Sequence, residues 1–221
     1  MHTPSRAPAA RRLPPEQRER SILDGAVALA VESGLEALTV RAVAARVGVT
    51  PALVAHYRPV MDDFVAEVFA LIVAAERDEV IGGHDPALDL PDGLLRIIET
   101  LLDDSREDVA MVWVQAWALG ARNDALAAAV RAEMDRWQSA LEELIARAVS
   151  GDPSIRVDAG TSAWMLLAMV DGMSAHSLVK WAPRDRAALA RRTLAAVLDA
   201  PTDTVPGRSP GLTPTDSGGI P

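Results

Sequence analysis

Apolar residues recur along this chain with a helical period almost from end to end. Ile22, Leu23, Ala26, Val27, Ala30 and Val31 fall at i, i+1, i+4, i+5, i+8 and i+9, a single stripe that predicts a helix from Glu16 to Ser33, ended by Gly34. Val40, Val43, Ala44 and Val47 form the inward face of a second, shorter helix, which Thr39 can cap and Gly48 stops. Thr50 caps a third helix with Pro51 in its first position, where the missing N–H costs nothing; Arg58-Pro59 breaks it, because proline disfavours a helical residue before it. Asp62 and Asp63 then suit the positive end of a fourth helix, whose stripe is Phe64, Val65, Val68, Phe69, Ile72 and Val73 and which runs to about Val80. Residues 82–91 (GGHDPALDLP) read as a loop. Five more helices follow, over roughly 91–103, 106–119, 123–149, 156–180 and 184–199.

Composition agrees with an all-α fold of about nine helices: hydrophobic residues are 49% of the 221, aromatics only 4%, and Ala, Leu and Val abound. The expected organisation is an Arg/Pro-rich arm (1–15), a three-helix helix-turn-helix domain (16–61), a larger helical domain (62–200) entered through helix 62–80, and a tail (201–221) too poor in large apolar side chains to order itself. Without cysteine the chain has no disulfide, thiolate metal site or cysteine nucleophile. Its most apolar run, Ala163 to Val170, stops at Asp171, far short of the ~20 residues a membrane span needs. The expectation is a soluble, cytoplasmic protein with no membrane partner.

Charge changes the picture. The formal net charge is −9, but residues 1–60 carry eight arginines against five acids, net +3, leaving −12 on the remainder. The third helix, PALVAHY, has no acid at all. In a helix-turn-helix the second short helix enters the major groove among phosphates and must present an acid-free face. With Val54 and Tyr57 inward, Pro51, Ala52, Ala55 and His56 point outward and Leu53 lies at the margin. His56 can donate to a phosphate or base edge, Leu53 and Ala52 can meet a thymine methyl, and Thr39 and Arg41 can bind phosphate at the start of the preceding helix. A three-helix cap on a bundle, without sequence-specific DNA binding, is the alternative reading: an all-α scaffold or interaction protein.

The span 21–69, with ILDGA, then GLEALTVRAVAARVGV, then a Thr-capped short helix ending in His-Tyr and a proline two residues on, resembles the DNA-binding domain of the TetR family of transcriptional regulators. That resemblance implies that Thr39 and Arg41 contact the DNA backbone and that Thr50 to His56 form the reading helix, with Tyr57 and Arg58 completing the DNA-binding set. The sequence departs from the family pattern at Ala55, where an aromatic is common, and near Met61, where a lysine is common. Arg58 and the N-terminal arginines are candidates to replace those phosphate contacts.

Less specifically, VWVQAWALGARNDALAAAVRAEMDRWQSALEELIARA followed by MLLAMVDGMSAHSL resembles the C-terminal domain of regulators of the BetI type. This implies a homodimer paired through the last two helices, an effector pocket among the earlier ones, and a repressor released from a palindromic operator by a small molecule. Helix 156–180 is apolar over most of its circumference, as expected of a helix packed on two sides, and the small residues Gly160, Ser162, Gly172, Ser174 and Ala175 allow close approach. Leu189, Leu194, Val197 and Leu198 of the last helix can complete a four-helix interface. For the pocket the candidates are Trp113, Trp117, Trp137, Met165, Met169, Met173 and His176, which suit an apolar or aromatic effector; each also fits plain core packing. Asp171, a lone acid in an apolar helix, either pairs with an arginine or a helix end or is the counter-charge for a cationic ligand beside tryptophan faces.

The residues supply no catalytic constellation. A Gly-rich phosphate loop, HExxH and an Asp-rich calcium loop are all missing, and the four histidines (2, 56, 84, 176) have no metal-ligand spacing. Gly172-Met-Ser-Ala-His176 lacks the second glycine and the preceding strand of a nucleophile elbow. The reading is a non-enzyme without cofactor or metal.

Overall fold

The structure, a computed structural model, describes residues 14–83, 90–151, 156–181 and 184–198. The predicted arm up to residue 13, most of the 82–91 loop and the tail from Pro201 lie outside them. Among the described residues there are nine α-helices and no strand: α1 (Pro15–Ser33), α2 (Val40–Val47), α3 (Pro51–Tyr57), α4 (Met61–Gly82), α5 (Leu90–Leu101), α6 (Glu107–Gly120), α7 (Asp124–Gly151), α8 (Ala159–Leu178) and α9 (Arg186–Leu198). Short 3₁₀ turns, Leu35–Ala37 and Asp104–Arg106, precede α2 and α6. None of the described helices is long and apolar enough to cross a membrane.

Side chains that accept the orphaned first N–H groups set where these helices begin. Thr39 accepts from the Ala42 N–H at 3.1 Å and Thr50 from the Leu53 N–H at 3.3 Å, as their positions in the sequence predict. Asn123 does the same for Leu126 at 2.9 Å, Asp158 for Thr161 and Asp185 for Ala188, both at 2.7 Å. Those last two caps start α8 at Ala159 and α9 at Arg186, slightly later than periodicity alone places them.

The first three helices bury Ile22, Ala26, Ala30, Val43, Ala44 and Val54 against one another and against Phe64 of α4. The turn between α2 and α3 rests on Gly48, whose left-handed backbone (φ 68°, ψ 38°) lets the Val49 N–H reach back to the Ala44 carbonyl at 2.9 Å. The long α4 leaves this head and runs into the larger body, where α7 packs along it. Arg77 of α4 donates to the Glu133 carboxylate of α7 at 2.6 Å, and Glu133, almost wholly buried, also accepts from Arg136. α8 is joined to α7 by the Gln138 amide donating to the Gly160 carbonyl at 2.8 Å, and to α9 by the buried Ser162 hydroxyl donating to the Val197 carbonyl at 2.8 Å.

Because Glu133 holds the connecting helix to the body, its removal leaves the half-buried Arg77 without its main counter-charge. Glu133→Ala is expected to cost about 3 kcal/mol in urea unfolding, the lower end for a broken buried pair, since Arg77 keeps the exposed Asp78 at 3.2 Å. A loss below ~1 kcal/mol, within the range of an exposed pair, would show that the contact does not anchor α4.

Candidate functional site

The helix α3 stands as its residue pattern requires. Val54 is fully buried and Tyr57 half-buried; Pro51, Ala52, Ala55 and His56 are exposed, and Leu53 is intermediate. The His56 and Tyr57 rings meet edge to face at 5.4 Å. Thr39 and Arg41 are exposed at the start of α2 beside this face. Arg58 has a different place. Its guanidinium lies 3.3 Å from both Glu19 of α1 and Glu67 of α4 and 5.1 Å from the Phe64 ring centroid, and its side chain is only 16% exposed. It braces the head from within, which corrects its assignment as a replacement phosphate contact. Arg46 is likewise held by Glu32. Among the described arginines of the head, Arg18, Arg20 and Arg41 make no ion pair with a described residue.

A cavity of about 50 Å³ lies inside the body, room for a few waters or a small organic group where one water takes ~10–15 Å³. Trp113 and Trp117 of α6 and Trp137 of α7 form its aromatic wall, with Trp113 and Trp117 centroids 5.7 Å apart. Leu167, Val170, Asp171, Ser174 and Ala175 line it from α8. Two acids reach it, Glu76 buried and Asp171 half-buried. Glu76 accepts the Trp113 indole N–H at 3.2 Å and lies 3.9 Å from Arg106, which donates to Glu79 at 2.8 Å. Burial raises the Glu76 pKa, opposed by the Trp113 hydrogen bond and the Arg106 charge. Asp171 has no hydrogen-bond or cationic partner among the described residues, and burial pushes its carboxyl up to about 6. Among the described residues Arg106, shared with Glu79, is the one guanidinium near Glu76, and none lies against Asp171.

Of the residues singled out in the sequence, the structure brings Trp113, Trp117, Trp137 and Asp171 together at this cavity. It does not bring Met165, Met169, Met173 or His176 there, and their placement in the pocket is corrected. Met169 and His176 are exposed and Met165 half-buried on a neighbouring face of α8, while Met173 borders a second, smaller cavity. Asp171 has neither the arginine nor the helix-end bond offered as an alternative. Sequence reading missed Glu76 and Arg106. Glu76 had a signal: it continues the apolar stripe of α4 at i+4 from Ile72 and i+3 from Val73, an acid where the pattern demands a core residue.

α6 also touches the head. Gln115 sits two residues from each of Trp113 and Trp117, about 200° round the helix from either. Its side-chain carbonyl accepts the Glu36 N–H at 3.3 Å, in the 3₁₀ turn before α2. It presses on Gly34, whose φ of 82° and ψ of 168° belong to a region open essentially to glycine and where a Cβ would lie 2.4 Å from the Gln115 oxygen.

A helix-turn-helix head joined by one helix to a body with an internal cavity defines a regulator in which DNA binding and ligand binding share a chain. Residues 22–68 match the sequence profile of bacterial regulatory proteins of the tetR family, and residues 91–200 match that of the C-terminal domain of BetI-type transcriptional repressors. The chain belongs to the TetR family of transcriptional regulators, with a body of the BetI type. Among curated proteins a search finds no significant match. Solved structures share the fold: a TetR-family regulator from Rhodococcus sp. (TM-score 0.69, 21% identity, 83% of this chain and 99% of that one); a regulator from Rhodococcus sp. Rha1 (0.65, 24%, 85% and 99%); and a protein from Saccharomonospora viridis, described as a transcriptional regulator in complex with choline (0.68, 21%, 83% and 96%).

Proposed function

We propose that the protein is a repressor that binds a palindromic operator as a homodimer and leaves it when an organic cation enters the tryptophan cavity. The observation that carries the choice of effector is Asp171, a half-buried acid with no partner among the described residues, beside Glu76 and the tryptophan faces. A buried charge is stable only when paired, and an aromatic wall attracts a cation that has shed its water. The choline bound to the Saccharomonospora viridis protein supports the same class of ligand.

Two features support the dimer. One short reading helix makes too few base contacts, whereas two related by a two-fold axis read half-sites ~34–36 Å apart. In a lone chain Trp164, Val179 and Trp181 are 62%, 76% and 69% exposed, an apolar surface along and just beyond α8 that a second copy would cover. The head, thirty-odd residues of charge-paired helix with an acid-free α3, faces DNA; the acidic body repels it from every other surface. A gel shift against the DNA flanking the protein's own gene, at low and high salt, tests this reading; no shifted complex at low salt would favour the scaffold alternative.

In this mechanism Gln115 is a positioning residue. A cation that moves Trp113 and Trp117 moves Gln115 on the other side of α6, and with it the turn that orients α2 and α3. Gln115→Ala is expected to keep both the DNA and the cation affinity of the separate forms but to weaken their coupling about fivefold, the equivalent of one ordinary hydrogen bond of ~1 kcal/mol. Unchanged coupling, measured as the ratio of DNA affinities with and without saturating cation, would place the transmission elsewhere.

A further inference from the structure

From its cap Thr50 through Tyr57, α3 contains no Arg, Lys, Asn or Gln, the residues whose side chains pair with guanine or adenine at two atoms. Pro51, Ala52 and Ala55 are exposed and their side chains offer only carbon, and Leu53 beside them is half-buried. Polar groups on this helix are few. The Thr50 hydroxyl oxygen already accepts the Leu53 N–H at 3.3 Å, and Tyr57 is half-buried with its ring edge to face with His56. His56 is the exposed ring of α3 that can form a hydrogen bond.

Every base pair presents hydrogen-bonding atoms in the major groove, but of the four bases only thymine also presents an apolar group there, its C5 methyl. An alanine set against a guanine or cytosine edge strips water from a donor or acceptor and gives it no partner, which costs free energy. Set against a thymine methyl, the same alanine removes carbon from water on both sides. Ala52 and Ala55 are three residues apart, about 4.5 Å along the helix axis and about 300° round it, so they share one face. That separation spans between one and two base-pair steps of ~3.4 Å. Charge suits the same partner: α3 is free of acids and residues 1–60 carry a net +3.

We infer that the protein reads its operator through thymine methyl groups. Each half-site sets thymines against Ala52 and Ala55 within about three consecutive base pairs, with no two-atom pairing from α3 to guanine or adenine. This rests on the DNA-binding reading above and goes further by naming the base chemistry that the helix selects.

The test begins with selection of duplexes from a random pool by the full chain. The thymines common to the two half-sites are then replaced, one position at a time and in both halves, by deoxyuridine, which differs only in lacking the methyl. Anisotropy titration is expected to show affinity falling roughly three- to fourfold per methyl, on the order of tenfold for a symmetric pair. The same replacement in flanking sequence should have no effect. Ala52→Gly and Ala55→Gly remove the protein side of the contact and should erase the difference between thymine and deoxyuridine at the position each residue meets. Two separate variants guard against one failing to fold, and the deoxyuridine series needs neither. Half-sites that share no thymine, or an operator bound equally well with deoxyuridine, overturn the methyl reading and leave DNA binding standing. A deoxyuridine loss that persists undiminished in both glycine variants also overturns it, because the methyls then meet another part of the head. No duplex enriched even at low salt overturns the regulator reading as well.

Discussion

Asp171→Asn is expected to give a protein that is more stable than the native one and deaf to cations. The native carboxyl titrates near 6 in place of 3.8, because burial penalises its ionised form, a difference of about 2–3 kcal/mol. The folded state therefore binds the proton more tightly than the unfolded state. Stability associated with this group is fully present below the unfolded value near 4 and is lost as pH rises through 6. At pH 7.5 the native protein carries the whole penalty and the asparagine variant does not, so its melting temperature should be higher by roughly 5–10 °C. The advantage should shrink as pH falls from 6 towards 4 and vanish below. Cation affinity moves the other way: it should fall in native protein as pH drops through about 6, and be weak and nearly pH-independent in Asp171→Asn. Thermal melts over that pH range, with and without a quaternary ammonium, read both effects. A variant no more stable at pH 7.5, or one that still binds the cation with native affinity, would mean that Asp171 has a partner of its own.

Ala52→Glu is expected to abolish operator binding without disturbing the fold. Ala52 is exposed in the first turn of α3, on the face with Pro51, Ala55 and His56, and makes none of the head's core contacts. A carboxylate there confronts the phosphates on either side of the groove, and like charges brought together at an interface cost several kcal/mol, so affinity should fall at least ~100-fold. Stability should stay within ~0.5 kcal/mol, as for other exposed substitutions. Ala52→Gln, similar in size but uncharged, separates charge from bulk and should retain most of the affinity. Native-like binding by Ala52→Glu would show that another face of the head meets DNA.

How much of this was legible in the chain depended on whether the physics is local. Gly48, Thr50 and Pro51 act within a few residues of themselves, so the turn, the cap and the inward and outward sides of α3 could be read directly. Trp113 and Trp117 lie on one stripe of α6 and their common face followed from helical spacing. α8 was ambiguous for the opposite reason: it is apolar nearly all round, so periodicity does not say which face meets the cavity and which looks outward. Its methionines and His176 were placed on the wrong one. Arg58 was misread because its partners, Glu19 and Glu67, come from other helices, and no local pattern announces such a pairing. Glu76 was visible in principle, as a break in an apolar stripe, but its meaning depends on Trp113 and Arg106 arriving from α6 and the turn before it.

The central claim is that one chain couples cation binding in the body to DNA binding by the head, and thermodynamic linkage makes that coupling reciprocal. The most direct measurement is fluorescence anisotropy of an operator duplex titrated with protein, with and without a saturating quaternary ammonium, together with calorimetric titration of the cation into free and DNA-saturated protein. The predicted result is that the cation weakens DNA affinity by roughly 5–150-fold and that DNA weakens cation affinity by the same factor. Equal cation affinity for free and DNA-bound protein, with operator binding unmoved, would contradict it.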